Sequence, residues 1–177
     1  MLLSFFITCS SFAQMDKSVV VGGSPMYPTK NIIENAVNSK DHTTLVAAVK
    51  AAGLVETLES AGPFTVFAPT NEAFDMLPKG TVETLLKPEN KSKLTGILTY
   101  HVVAGRLDSK DLAKLIMDGN GKAELTTVAG GKLWLMMKGK KIVLKDENGG
   151  MATISIRDVY QSNGVIQVID HVVLPKN

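Results

Sequence analysis

The chain has a single cysteine in 177 residues, Cys9, near the N-terminus. One cysteine excludes an internal disulfide framework, a cysteine-built zinc site and a Cys-x-x-Cys redox centre. Charge of one sign is also lacking: 19 Lys and Arg against 17 Asp and Glu leave +2. Nothing in that balance marks a nucleic-acid binder. The three histidines, His42, His101 and His171, are too few and too scattered for a site that needs three or four ligands. No apolar run reaches the about 20 residues that a ~30 Å bilayer requires. The chain has no Gly-x-Ser-x-Gly elbow and no Arg-Gly-Asp. Gly119-Asn120-Gly121 lacks the third glycine and the preceding strand of a dinucleotide loop. Gly131-Lys132 and Gly139-Lys140 lack the upstream glycine of a phosphate loop. Asp118-x-Asn120-x-Lys122 puts a cation where a calcium loop needs oxygen.

What is present reads as one folded domain. Forty-five per cent of residues are apolar and 20% charged, a globular balance. A chain of this length buries roughly 70% of its unfolded surface. Residues 2–12 read LLSFFITCSSF, and Ser11-Phe12-Ala13 offers small residues at the positions a signal peptidase reads. An export signal over residues 1–13, cut after Ala13, is expected. Lipidation at Cys9 is a minor alternative, since Phe6-Ile7-Thr8 lacks the small residue such a site prefers. Residues 14–30 carry Gly22-Gly23, Pro25 and Pro28 and read as a linker or arm, with Val19-Val20-Val21 able to form a short edge strand.

From Asn31 to about Asp118 the pattern is mainly helical. Ile32, Ile33, Ala36 and Val37 recur at helical spacing. Asp41 is positioned to cap a second helix with a Leu45, Val46, Val49, Ala52 stripe, stopped by Gly53. The run Phe64-Thr65-Val66-Phe67-Ala68 predicts a strand apolar on both faces. Thr70 or Asn71 can cap the next helix, with Glu72 in its first turn. Further helices are expected at 81–86 and from Pro88 to Tyr100, then a strand over 101–103. Asp108 with Asp111 predicts a capping box for a helix over 109–117. After Gly121 the period becomes two. Strands are expected at 123–128, 132–138, 141–145, 152–159 and 165–174, with Asn148-Gly149 and Asn163-Gly164 as tight hairpin turns. This order predicts an α+β fold, with helices on or beside a β-sandwich and an antiparallel meander in the C-terminal half.

Three segments form a family pattern. Residues 62–74, GPFTVFAPTNEAF, then Tyr100-His101-Val102-Val103, then residues 163–170, NGVIQVID, resemble in order and spacing the two signatures and the Tyr-His motif of the fasciclin (FAS1) domain. The resemblance spans residues 31–175. It implies a wedge-like β-sandwich flanked by helices, no enzymatic activity, no cofactor and a role in cell adhesion. The implied partners are surface or matrix proteins or glycans. The motif residues that would act structurally or toward a partner are Phe64, Thr65, Phe67, Pro69, Thr70, Asn71, Phe74, Tyr100, His101, Asn163, Gly164, Val165, Ile169 and Asp170. This chain departs from the pattern at Gln167, where the family usually has histidine. Asp158-Val159 lies where animal members carry an Asp-Ile pair linked to integrin binding, and here it reads as a strand end.

Residue by residue, structural roles are expected to dominate. His101 reads as a buried histidine bracing a helix-to-strand junction. Asn71 and Glu72 read as helix capping. Asp170 and His171, as strand neighbours, are expected to face opposite ways and form no dyad. Trp134, Met136, Lys138, Lys140 and Lys141 lie on one predicted hairpin. Its tip could hold an anionic glycan or a lipid headgroup, or be a solvated turn with Trp134 in the core. No catalytic or metal-binding residue is expected. The predicted function is an exported, secreted or periplasmic, non-enzymatic interaction module of the envelope or matrix. The alternatives are a carrier of a small lipophilic ligand between helices and sandwich, and a hydrolase.

Overall fold

A computed structural model describes residues 17–176; the expected export signal and Cys9 lie outside them. The chain opens with a hairpin of β1 (Val19–Val21) and β2 (Ser24–Met26). Val21 and Met26 are buried in the main apolar core, so the stretch read as a linker or arm packs onto the domain. Short helices follow: α1 (Ile32–Ala36), α2 (Thr43–Ala52) and α3 (Val55–Glu59). Strand β3 (Phe64–Pro69) leads to α4 (Asn71–Asp75), α5 (Thr81–Leu85) and α6 (Lys91–Tyr100). Then come β4 (Val102–Ala104), α7 (Ser109–Asp118) and the meander β5 (Lys122–Thr126), β6 (Lys132–Lys138), β7 (Lys141–Lys145), β8 (Met151–Gln161) and β9 (Gly164–Ile169).

The seven later strands are ordered β4-β3-β9-β8-β7-β6-β5. All neighbours are antiparallel except β3 and β9, which pair in parallel from Phe64↔Gly164 to Pro69↔Ile169. The fold is α+β as expected, and the expected sandwich is one ladder whose halves share the eleven-residue β8.

Alternation along the central pair divides the interior in two. Val66, Ala68, Ile166 and Val168 face a core made with α1, α2, α3 and α6. Phe67 and Ile169 face a second core made with α7 and the inner faces of β5, β6 and β7. A strand can serve two cores only if it is apolar on both sides, which is what residues 64–68 supply. β8 changes sides by bulging. Ile154 pairs with Ile169 and belongs to the second core, Ile156 pairs with Val168 and belongs to the first, and the extra residue between them reverses the parity.

Two expected turns and caps differ in the structure. Asp41 does not cap α2; it lies inside a 3₁₀ turn, Lys40–His42, that precedes the helix. Asn163-Gly164 is not a positive-φ hairpin turn. Gly164 is already the first residue of β9, and a Cβ there would collide with the Phe64 carbonyl of the parallel partner. Its neighbour Asn163, buried, is a staple. Its Oδ1 accepts from Ile32 N at 3.1 Å and its Nδ2 donates to Leu58 O at 2.7 Å and Ser60 O at 2.8 Å. One amide thus ties the start of α1 and the end of α3 to the β8–β9 turn. Removing it as Asn163→Ala strands one donor and two acceptors. The expected loss of unfolding free energy is on the order of 3 kcal/mol, read as a lower urea midpoint at an unchanged slope.

Candidate functional site

The polar motif residues bind backbone. The Thr65 hydroxyl donates to Gly105 O at 2.7 Å and accepts from Leu107 N at 2.9 Å, fixing the loop after β4. Thr70 caps α4, accepting from Ala73 N. Asn71 caps a different helix from the one expected. Its Oδ1 accepts from Thr44 N at 3.0 Å and from the Thr43 hydroxyl, and its Nδ2 donates to Lys40 O at 2.8 Å, so it closes the N-terminus of α2. That terminus has no side-chain cap of its own, and tertiary folding brings in the missing acceptor.

Tyr100 and His101 tie the end of α6 to β6, the β7–β8 turn and the C-terminal tail. The Tyr100 hydroxyl donates to Lys132 O and accepts from Glu147 N. Burial pushes this phenol up to about 12. His101 is buried at the α6–β4 junction. Its Nδ1 lies 2.8 Å from Ile97 O and its Nε2 3.3 Å from Val173 N. A carbonyl only accepts and an amide only donates, so the ring is the neutral tautomer with the proton on Nδ1. Burial lowers its pKa to about 4. Asp146, also buried, continues this tie by accepting from Leu174 N at 2.9 Å and, at the β7–β8 turn, from Asn148 N and Gly150 N.

The half-buried Asp158 and the fully buried Gln167 form a second device, a pairing that the sequence does not reveal. Asp158 adopts φ +60 inside β8, not at a strand end. Its carboxylate accepts from Ser109 N and the Ser109 hydroxyl at the start of α7. Gln167, fully buried, accepts from Asp158 N at 3.1 Å and donates to Leu107 O and to the Asp158 carboxylate. Gln167 therefore fills the usual histidine position with both a donor and an acceptor, holding the second bulge in shape.

Several constellations resemble catalytic geometry. Asp170 and His171 do meet, Oδ1 to Nδ1 at 2.8 Å, against expectation. β9 ends at Ile169, so strand alternation no longer separates them. Asp170 also accepts from Thr153 N. Ser39 and His42 are 2.9 Å apart, Oγ to Nδ1, and both are buried. Burial lowers the His42 pKa, and its Nε2 is buried without a hydrogen-bond partner. This ring borders an apolar cavity of about 50 Å³ between the helices and the central strands, lined by Met26, Leu45, Val49, Val66, Leu98 and Ile166 among others. A dry cavity that admits benzene is about 150 Å³, so this one is below the size of a lipophilic ligand. Among the described residues, no three His, Cys, Asp or Glu side chains gather as metal ligands.

The outer surface of the meander differs. Leu133 and Leu135 of β6 face the core, whereas Trp134 is half-exposed on the opposite face and not in the core. Its Nε1 donates to Glu124 at 3.2 Å and its ring lies 5.2 Å from Lys122 Nζ. Trp134 belongs to this cross-strand cluster and not to the hairpin tip. The tip itself exposes Lys138, Lys140 and Lys141. Lys140 and Lys141 share an open concavity of about 270 Å³ with Ile142, Ile154, Ser155 and Arg157. Ser155 and Arg157 were missed in the sequence, where they are only two alternate exposed positions of a predicted strand.

Because His101 is neutral when folded and ionises at about 6.5 when unfolded, the unfolded state binds the extra proton between those values. Stability contributed by this residue is therefore complete above pH ~6.5 and falls as pH drops toward about 4, by on the order of 3 kcal/mol. Urea unfolding from pH 7.5 to 4.5 should show this slope in the parent and a shallower one in His101→Gln. At pH 7.5, His101→Ala should cost on the order of 1–3 kcal/mol.

Residues 40–175 match the fasciclin domain. Protein sll1483 of Synechocystis is 47% identical over 160 residues, covering 90% of this chain and 82% of that one. The immunogenic protein MPB70 of Mycobacterium bovis is 35% identical over 145 residues, 79% of this chain and 66% of that one. Among solved structures, a FAS1 domain pair from the insect cell adhesion molecule fasciclin I aligns with a TM-score of 0.74 at 18% identity, over 84% of this chain and 52% of that one. With its helices packed on the β3–β9 pair and both signatures buried in it, the chain belongs to the fasciclin (FAS1) domain family.

Proposed function

We propose that this fasciclin domain is an exported, non-enzymatic interaction module that binds surface or matrix proteins or glycans through the tip of the β6–β7 hairpin. One observation carries the reading: the polar motif side chains are engaged with backbone, while the tip lysines form no ion pair. Among the described residues, the ion pairs join Lys114 to Asp118, Lys132 to Glu124 and His171 to Asp170, and none includes Lys138, Lys140 or Lys141. Unpaired cations on a rigid two-stranded tip raise the local concentration of anionic partners. A single contact of this kind is weak, and clustering of modules on a surface multiplies it through effective concentration.

Export is supported by the leader-like residues 1–13, and no helix among the described residues is long and apolar enough to cross a membrane. The non-enzymatic reading is supported by the burial of the Ser39–His42 pair and by the Asp170–His171 pair having no hydroxyl partner among its hydrogen bonds. An array of glycans, matrix proteins and envelope fractions should retain the parent chain. The combined variant Lys138→Glu, Lys140→Glu, Lys141→Glu should lose that retention while unfolding at the parent's temperature. Unchanged retention would remove the tip as the binding site.

A further inference from the structure

The tip lysines do not stand on a convex turn alone. β7 and β8 pair only from Val143↔Thr153 to Lys145↔Met151. From Ile154 onward β8 is bonded to β9 instead. The first residues of β7 and the next stretch of β8 therefore diverge, and the gap between them is the concavity of about 270 Å³. Lys140 and Lys141 enter it from the hairpin, and Arg157 enters from β8. No carboxylate lines it, and its apolar lining is Ile142 and Ile154, which are 5% and 7% exposed. The Ser155 hydroxyl, also in the lining, donates to Val168 O at 3.3 Å.

This combination selects a ligand chemistry. Three cationic residues around one concavity, with no carboxylate in its lining, favour an anion there. Arg157 offers a planar fork matched to a carboxylate or sulfate, and the two lysines offer mobile point charges. The apolar floor favours a ligand body with a non-polar face. The volume is just under the about 300 Å³ at which small-molecule pockets begin, room for one ring and not several. Since the isoleucines are recessed, a flat bilayer surface cannot reach them. We infer that the groove between β7 and β8 binds one acidic sugar residue, carboxylated or sulfated, of an anionic polysaccharide. The acid group meets Arg157, Lys140 and Lys141, and the C–H face of the ring lies on Ile142 and Ile154. The inference rests on the proposed role of the hairpin tip and narrows it to one ligand class and one groove.

The test measures binding of the full chain to immobilised polygalacturonate, dextran sulfate and neutral dextran, and to vesicles of phosphatidylcholine with phosphatidylglycerol. The two acidic polymers separate a carboxylate from a sulfate preference. Arg157→Glu and Lys141→Gln alter the groove; Lys79→Glu, at an exposed position between α4 and α5, makes a charge change away from both the groove and the tip. Thermal unfolding of each variant checks that the fold is kept, and Lys141→Gln, at an exposed turn-flanking position, covers the case in which Arg157→Glu does not fold. The parent should bind at least one acidic polymer and not neutral dextran. Arg157→Glu should weaken that binding about tenfold or more, Lys141→Gln less but in the same direction, and Lys79→Glu little. The inference is overturned by equal losses from Lys79→Glu and the groove variants, by binding to vesicles alone, or by no binding to either acidic polymer. If the groove variants leave polymer binding intact while the triple tip variant loses its envelope partner, the groove fails and the tip reading stands. If the triple variant changes nothing, the tip reading itself fails.

Discussion

The parallel pairing of β3 with β9 is the constraint from which the rest of this domain follows. It joins strands about 100 positions apart in the chain, Phe64↔Gly164 to Pro69↔Ile169, and both lie buried with a core on each face. A pair in that position has no solvent to satisfy its backbone or to forgive a misplaced side chain. Register is held by close approach at Gly164 and by the Asn163 amide on three backbone groups. The signatures are thus a description of this joint. Their hydroxyls and amides cap helices, brace loops and staple the turn, which leaves them little to offer a partner.

The same economy explains the Tyr-His motif. Tyr100 and His101 end α6, and between them they engage β6, the β7–β8 turn and the C-terminal tail. A neutral, buried imidazole can bridge a carbonyl and an amide at once, which no aliphatic residue does, and its burial makes the junction acid-sensitive. Gln167 shows an alternative solution to a neighbouring problem. Where the family usually has histidine, an amide side chain donates and accepts together and so holds Asp158 in its left-handed conformation. The other bulge of β8, between Ile154 and Ile156, carries the strand from one core to the other, close to where its pairing with β7 stops and the basic groove opens.

Much of this was legible in residues 31–175. The two-faced strand over 64–68, the Asp108–Asp111 capping box and the strands at 132–138 and 141–145 were read correctly, because each depends on local periodicity or on neighbours within four residues. The misreadings share a cause. Asp41 looked like a cap by position, but Asn71 supplies the acceptor from across the fold. Asn163-Gly164 looked like a turn dipeptide, but both residues serve contacts with partners far away in sequence. Asp170 and His171 were assigned to a strand that ends one residue earlier. Trp134 was weighed as core although its alternation with Leu133 and Leu135 puts it outside.

By itself the sequence determined the class of fold, the order of its elements and the family, since apolar periodicity and the motif residues are written along the chain. Only tertiary structure decided what those motif residues touch, that His101 is neutral between Ile97 and Val173, and that Arg157 joins Lys140 and Lys141 around one groove. The reason is physical. Periodicity reports which side of an element is buried, whereas a hydrogen bond or a convergence of charge depends on which distant elements are brought together, and that is fixed by packing of the whole.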